Sequence, residues 1–195
     1  MAVVGLTKTE QGGIETWPVS VNDLKKQLRI LTDEENDVLT GYLLGAIEVA
    51  EDMRGSTIID TTYLLELSAF PAYYCQHREP IELPRPVFKE IVDVTYLDLD
   101  LVRQTLDESV YCVIKDYRTY LGLANNKTWP SGATGVEITY KTYCPVVSER
   151  VKLGIKMIAS TFWRYRETLT EQQLSELPGF MNIRSMLSKG KEWTW

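Results

Sequence analysis

The sequence lacks features that mark several large classes of proteins. No apolar run approaches the ~20 residues that a transmembrane helix needs. The first 13 residues have neither a basic region nor a continuous apolar stretch, so no secretory signal is expected. Acidic residues outnumber basic residues by 27 to 21, and the formal net charge is −6. A general DNA-binding surface is instead basic. These features predict a protein that is made in the cytosol and does not bind DNA through a basic surface.

Cysteine and histidine are also scarce. We interpret the three widely spaced cysteines, Cys75, Cys112 and Cys144, as reduced and mostly buried. His77 is the only histidine, which leaves a structural zinc site short of its four ligands. A serine nucleophile would have only His77 as its base, and no G-x-S-x-G motif is present. The sequence therefore predicts no enzyme, no metal and no cofactor.

Acidic residues cluster near one predicted hairpin, at Asp98, Asp100, Asp107 and Glu108. Their oxygens suit a hard cation, but turns also favour aspartate, because its side chain bonds the nearby backbone. We interpret these residues as turn residues.

Three segments have the spacing of amphipathic helices. Asp23 and Glu35 complete capping boxes, and Gly55 follows the second helix as a C-terminal cap. Each helix is too short to be stable alone, so we expect their apolar stripes to pack in one bundle. The predicted helices are 20–31, 33–54 and 148–169, with N-caps at Ser20, Thr32 and Ser148.

Residues 57–143 instead alternate with a period of two over several short segments separated by turn residues. This pattern predicts an antiparallel sheet or small barrel. Pro84 and Pro86 cannot donate ladder hydrogen bonds, so they fix an extended edge or a corner. The predicted fold class is α+β: a small helical bundle of two N-terminal helices and one long C-terminal helix, with an inserted antiparallel β region and extended terminal arms.

At the two ends of the chain, the apolar residues have no clear helical or strand period. Residues 1–17 predict an arm that is flexible alone. The tail, 170–195, is too short and broken to build its own core, so we predict that it docks on a partner; folding back onto the third helix is the alternative. Arg150, Lys152 and Lys156 suit an acidic partner or phosphates, and the alternative is a solvated face. The predicted interface residues of the tail are Phe180, Met181, Ile183, Met186, Leu187, Trp193 and Trp195.

The order of these features resembles that of the head–tail connector (adaptor) proteins of tailed bacteriophages. The resemblance rests mainly on Leu83-Pro84-Arg85-Pro86 followed by Val94-Thr95-Tyr96, on the acidic run at 33–37, and on the third helix from Lys152 to Glu167. It covers residues 18–169 and implies a connector domain there, with helices at 20–54 and 148–169 around a β insertion at 57–143. Residues 1–17 then form an N-terminal arm, and residues 170–195 a C-terminal docking arm.

The resemblance implies a structural role without catalytic residues. Such proteins form a ring beneath the portal, join it to the tail or stopper, and continue the DNA channel. A twelve-subunit portal implies a dodecamer that encloses DNA without reading its sequence. The expected location is the virion neck, after assembly in the host cytoplasm. The alternative is a small soluble protein-binding or assembly-chaperone module that forms no ring.

Overall fold

The computed structural model of the protein describes residues 2–71, 79–85, 87–116, 118–143 and 146–165, together with Ile183, Ser185 and Leu187. The chain forms two compact units. The β unit comprises Met1–Gly12 and Asp60–Tyr143, and the helical unit comprises Gly13–Ile59 and Cys144–Trp195. The chain thus enters the β unit twice, which the predicted boundaries at 17 and 18 did not anticipate.

The described elements confirm the α+β class. In chain order they are β1 (Val3–Gln11), α1 (Val21–Leu28), α2 (Asn36–Arg54), β2 (Thr61–Ala69), β3 (Ile81–Leu83), β4 (Phe88–Leu97), β5 (Arg103–Thr105), β6 (Tyr111–Lys115), β7 (Thr119–Leu123), β8 (Thr134–Thr142) and α3 (Glu149–Arg164), with short 3₁₀ turns at Ile14–Thr16 and Glu108–Val110. No helix among the described residues has the length and apolarity that a membrane span requires.

The predicted start of the first helix is confirmed. Ser20 is the N-cap of α1: its Oγ accepts from the Asp23 N–H at 3.1 Å and donates to Asp23 Oδ2 at 2.8 Å. Its predicted end at residue 31 is wrong. The helix stops at Leu28 because Arg29 adopts a left-handed conformation, with φ of 60°. Leu31, expected on the apolar stripe, is 96% exposed.

The second helix begins later than predicted. Its N-cap is Glu35 rather than Thr32. The buried Lys25 explains the shift, since its Nζ lies 2.5 Å from Asp33 Oδ1 and 3.2 Å from Asn36 Oδ1. These contacts hold residues 33–36 as a turn before the helix starts. The predicted end is confirmed, because Gly55 caps α2 with φ of 66°.

All three helices contribute to one apolar core. Leu24 of α1, Leu43 of α2 and Ile155 of α3 belong to the same buried cluster. The Tyr42 ring packs against Phe162 and Trp163, with ring centroids 6.4 Å apart in both pairs. Ser148 lies at the predicted N-cap of α3, in an extended conformation without a capping side-chain bond. Residues 166–169, the predicted end of this helix, lie outside the described residues.

The β unit contains two antiparallel sheets. The first has the strand order β1-β2-β8-β4-β5, and the second has the order β3-β7-β6. Alternate residues of β2 and β8 point inward, so Tyr63 stacks on Tyr140 at 5.8 Å between ring centroids. Nearby, Phe70 stacks on Trp129 at 4.7 Å. These side chains belong to a second apolar core, separate from the helical one.

The predicted proline corner lies between β3 and β4. Arg85 and Val87 both have positive φ angles, 71° and 75°, which non-glycine residues rarely adopt. The Tyr140 hydroxyl donates to the Pro84 carbonyl at the same corner. Burial raises the pKa of the Tyr140 hydroxyl well above its usual range, so it remains a donor.

Residues 3–11 are not a flexible arm. They form the edge strand β1, which pairs with β2 in antiparallel register from Val3↔Leu67 to Gln11↔Thr61. The strand exists because β2 supplies its hydrogen-bond partners. One thiol prediction is also wrong, since Cys112 on β6 is exposed. Cys75, His77 and Cys144 lie outside the described residues.

Candidate assembly surfaces

The three basic residues predicted at an interface lie along the first half of α3, and two of them have acidic neighbours in the same unit. Lys152 Nζ lies 2.7 Å from Glu149 Oε1. The charge of Lys156 contributes to the low pKa of the Asp23 carboxyl, whose main cause is the hydrogen bond from Ser20. Arg150 is exposed. Part of this basic charge is therefore balanced within the chain.

Two tail residues predicted at an interface are in the helical core. Ile183 and Leu187 are 2% and 0% exposed and belong to the same buried cluster as Ile155. Leu187 Cδ2 lies 3.0 Å from the position that a Cβ on Gly154 would occupy, so the glycine lets the tail approach α3 closely. For these two residues the structure matches the fold-back alternative. Phe180, Met181, Met186, Trp193 and Trp195 lie outside the described residues.

The acidic residues near the hairpin organise turns, as predicted. Asp98 Oδ1 accepts from the N–H groups of Asp100 at 3.0 Å and Val102 at 2.9 Å, and Asp107 Oδ1 accepts from the Ser109 N–H at 2.8 Å. The Gln104 side chain, followed by the Val102 N–H, lowers the pKa of Asp98. Within the described part of the chain, no group of His, Cys, Asp and Glu residues is arranged to hold a metal ion.

The same turn carries an exposed apolar group that sequence reasoning missed. Leu99, Leu101 and Val102 are 79%, 73% and 53% exposed. We call these three residues the hairpin tip. Leu101 has φ of 59°, an uncommon conformation for leucine. A signal was present in the sequence, because leucine is an unusual choice for a turn between two aspartates.

A charged cluster fixes the strands beneath the hairpin tip. Arg103 on β5 reaches Glu137 on β8 through both guanidinium nitrogens, one of them at 2.7 Å from Glu137 Oε1. It also donates to Thr95 Oγ1 on β4 at 3.0 Å. The hydrogen-bonded Glu137 carboxylate raises the pKa of the Arg103 guanidinium. This side chain ties β5 to the adjacent strand β4 and to β8 beyond it, so the hairpin has a fixed position on the sheet.

A second exposed apolar group lies at the start of β1. Val3 and Val4 are 58% and 68% exposed, and we call them the β1 end. Val3 is opposite Leu67, while Gly5 is opposite Glu66, so Val4 is the extra residue of a bulge. Two hydrogen bonds between Ala2 and Ser68, at 3.0 and 3.1 Å, hold this end against β2.

Together these features define an α+β structural fold whose distinctive surfaces are apolar sheet margins. Solved structures of gene transfer agent particles contain chains with this fold. A chain from the neck of an empty GTA particle, computed with C6 symmetry, is 16% identical, matches over 95% of both chains and has a TM-score of 0.70. A chain from the virion of a native gene transfer agent particle is 17% identical over 94% of both chains, with a TM-score of 0.69.

A third match is a chain from the neck of a native GTA particle, computed with C12 symmetry. It is 15% identical over 95% of both chains, with a TM-score of 0.67. No protein-family model and no curated protein sequence matches the chain. At these identities the likeness shows a shared fold. That shared fold agrees with the resemblance of the sequence to head–tail connector proteins.

Proposed function

We propose that this chain is a structural subunit of the neck of a tailed phage or phage-like particle. In this proposal it forms a ring that joins the portal to the tail or stopper and continues the DNA channel. It resides in the virion neck after assembly in the host cytoplasm, and it is not an enzyme. The observation that carries the proposal is the fold shared over 95% of both chains with a chain from a GTA neck.

The proposed ring is a dodecamer, as the resemblance implies; a C12-symmetric neck among the matches supports that number. The formal charge of twelve copies is 12 × −6 = −72. A ring that is not basic would enclose DNA without binding its phosphates tightly, since phosphate contacts require Lys and Arg. The ion pair between Lys152 and Glu149 supports this aspect of the proposal.

The portal contact is proposed for the tail residues other than those in the helical core. Trp193 and Trp195 are the main candidates because large aromatic side chains commonly anchor interfaces, and Phe180, Met181 and Met186 are the other tail residues. Arg150, Lys152 and Lys156 on α3 are proposed for the same portal contact or for a contact between subunits. Ile183 and Leu187 would support the contact from within the core, by holding their part of the tail in the helical unit.

A truncation separates the contact from folding. Removing residues 188–195 deletes Trp193 and Trp195 and retains Leu187 in the core. We expect a protein of nearly unchanged melting temperature that no longer co-purifies with the portal protein of the same particle. The matched control is Leu31→Ala, at an exposed position of the helical unit, which should bind portal normally. Full portal binding by the truncated protein would contradict the proposed contact.

The function itself is tested by genetic removal of the chain from its virus or element. The proposal predicts DNA-filled heads and free tails that fail to join, with restoration by the gene supplied separately. Complete, infectious or transducing particles without the chain would contradict a role in the neck.

A further inference from the structure

We propose that neighbouring copies of this chain contact each other through the hairpin tip of one copy and the β1 end of the next. The contact joins Leu99, Leu101 and Val102 to Val3 and Val4 of a second copy. This inference rests on the proposed function, because it supplies the contact between subunits of the proposed ring.

The hairpin tip and the β1 end lie on opposite margins of one sheet. β1 and β5 are the outer strands of the order β1-β2-β8-β4-β5. Strands are spaced by about 4.8 Å, so four spacings separate the two margins by roughly 19 Å. The hairpin tip and the β1 end therefore cannot cover each other within one sheet, whereas two copies placed side by side would bring them together.

The hairpin tip and the β1 end also lie at the same end of the sheet. Val3 is opposite Leu67, and Leu67 is opposite Val136. On β8, Val136 lies between Glu137, which pairs with Thr95 of β4, and Thr134, which pairs with Leu97 of β4. Leu97 is the last residue of β4 before the hairpin turn. The β1 end and the hairpin tip thus lie at one level, as side-by-side contact requires.

Hydrogen bonds within the chain hold the backbone of both groups in place. Asp98 accepts three hydrogen bonds across the turn, including one from Gln104 Nε2 at 2.9 Å, and Arg103 ties β5 to β4 and β8. Ala2 and Ser68 fix the β1 end. Pre-organised side chains lose less conformational entropy on binding. Exposed apolar side chains on a fixed support are therefore suited to association.

The contact would be made by side chains rather than by backbone pairing. β5 has only three residues, and the pairing of β1 with β2 has register shifts at Val3/Gly5 and at Lys8/Glu10. Short and bulged edge strands are poor templates for strand addition. Because the two contacting surfaces differ, the interface is head-to-tail, and such an interface closes into a ring when the rotation between copies closes.

The experiment uses the full-length protein and measures assembly mass by light scattering over a range of concentrations. The tip variant is Leu99→Asp with Leu101→Asp, and the edge variant is Val3→Asp with Val4→Asp. Each should raise the concentration of half-assembly at least about tenfold, with a melting temperature close to that of the unmodified protein. Leu31→Asp, at the 96% exposed leucine of the helical unit, is the matched control and should assemble normally.

Two further measurements identify the partner surface. An equimolar mixture of the tip and edge variants retains one intact junction, so it should form a discrete heterodimer and no ring. The charge pair Leu101→Asp with Val4→Lys in one chain should restore assembly, since every junction would then oppose Asp to Lys. Failure of both measurements would overturn the tip-to-edge contact.

The outcomes separate this inference from the proposed function. If the unmodified protein and both acidic variants form the same rings, the tip-to-edge contact is wrong and the proposed ring stands. If the variants form rings but lose portal or tail binding, the hairpin tip or β1 end serves a different partner, and the inference is again wrong. If the unmodified protein forms no assembly up to about 1 mM, both the contact and self-assembly into a ring are contradicted.

Discussion

Leu187→Ala should destabilise the helical unit, although the residue lies near the end of the given sequence. Leu187 is 0% exposed and packs against Gly154 of α3. The change removes three carbon atoms, which at ~0.8 kcal/mol each amounts to about 2.4 kcal/mol of lost burial. A residual cavity adds to this value, so the expected loss in free energy of unfolding is about 2–5 kcal/mol.

Urea denaturation followed by circular dichroism at 222 nm measures this loss, because the signal is dominated by helix. With an m-value of about 2–3 kcal/mol/M, the midpoint should fall by roughly 1–2 M urea. The matched control is Leu31→Ala, which removes the same atoms from a 96% exposed side chain and should change stability by no more than about 0.5 kcal/mol.

If Leu187→Ala and Leu31→Ala shift the midpoint equally, Leu187 is not part of the helical core in solution, and the tail is available in full for docking. A loss for Leu187→Ala as large as that for Ile155→Ala, the corresponding change in the middle of α3, would instead establish that the tail belongs to the core.

Two further substitutions and one binding measurement test separate features of the protein. Glu51→Ala should lower the free energy of unfolding, measured by urea titration, by about 1–3 kcal/mol, because the buried Glu51 Oε1 accepts from the N–H groups of Ile58 at 2.7 Å and Ile59 at 3.3 Å. Glu51→Gln keeps an acceptor oxygen and should lower it less. Equal losses for the two variants would argue against this role of the Glu51 side chain. Hydrogen bonds to the Asp98 carboxylate lower its pKa below the usual 3.8, so they stabilise the hairpin above pH 3.8, and this stabilisation is lost as the pH falls through the lowered pKa. Gln104→Ala should move the Asp98 pKa toward 3.8 in an NMR titration. An unchanged pKa would exclude Gln104 as the main cause of the shift. The purified protein should show no tight, salt-sensitive binding to duplex DNA in a fluorescence anisotropy titration, and nanomolar binding that weakens steeply with salt would contradict a ring that encloses DNA without gripping it.

The helices were predictable from sequence to within a few residues because their signals are local. Ser20 with Asp23 and Gly55 each act within one turn of the chain. The predicted start of α2 failed because its determinant is tertiary. Lys25 reaches across from α1 to Asp33 and Asn36, and no pattern in the acidic run at 33–37 reveals that contact.

The edge strand and the tail depend on partners that are distant in sequence. β1 contains Gly5 and alternates weakly, and it becomes a strand only because residues 61–67 pair with it. Similarly, the apolar spacing of Ile183 and Leu187 fits either a docking arm or a core segment. The close approach to Gly154, about 30 positions earlier in the chain, favours the core for these two residues. The exposed apolar groups of the β unit were missed because exposure depends on the fold, whereas composition shows only that leucines and valines are present.

Electron microscopy of the purified, unmodified protein, combined with its mass in solution, tests the central claim most directly. We predict closed rings with twelvefold symmetry and a mass of 12 × 22.3 kDa, about 268 kDa. A single species of 22.3 kDa at every concentration, with no rings in the class averages even when portal protein is added, would contradict it.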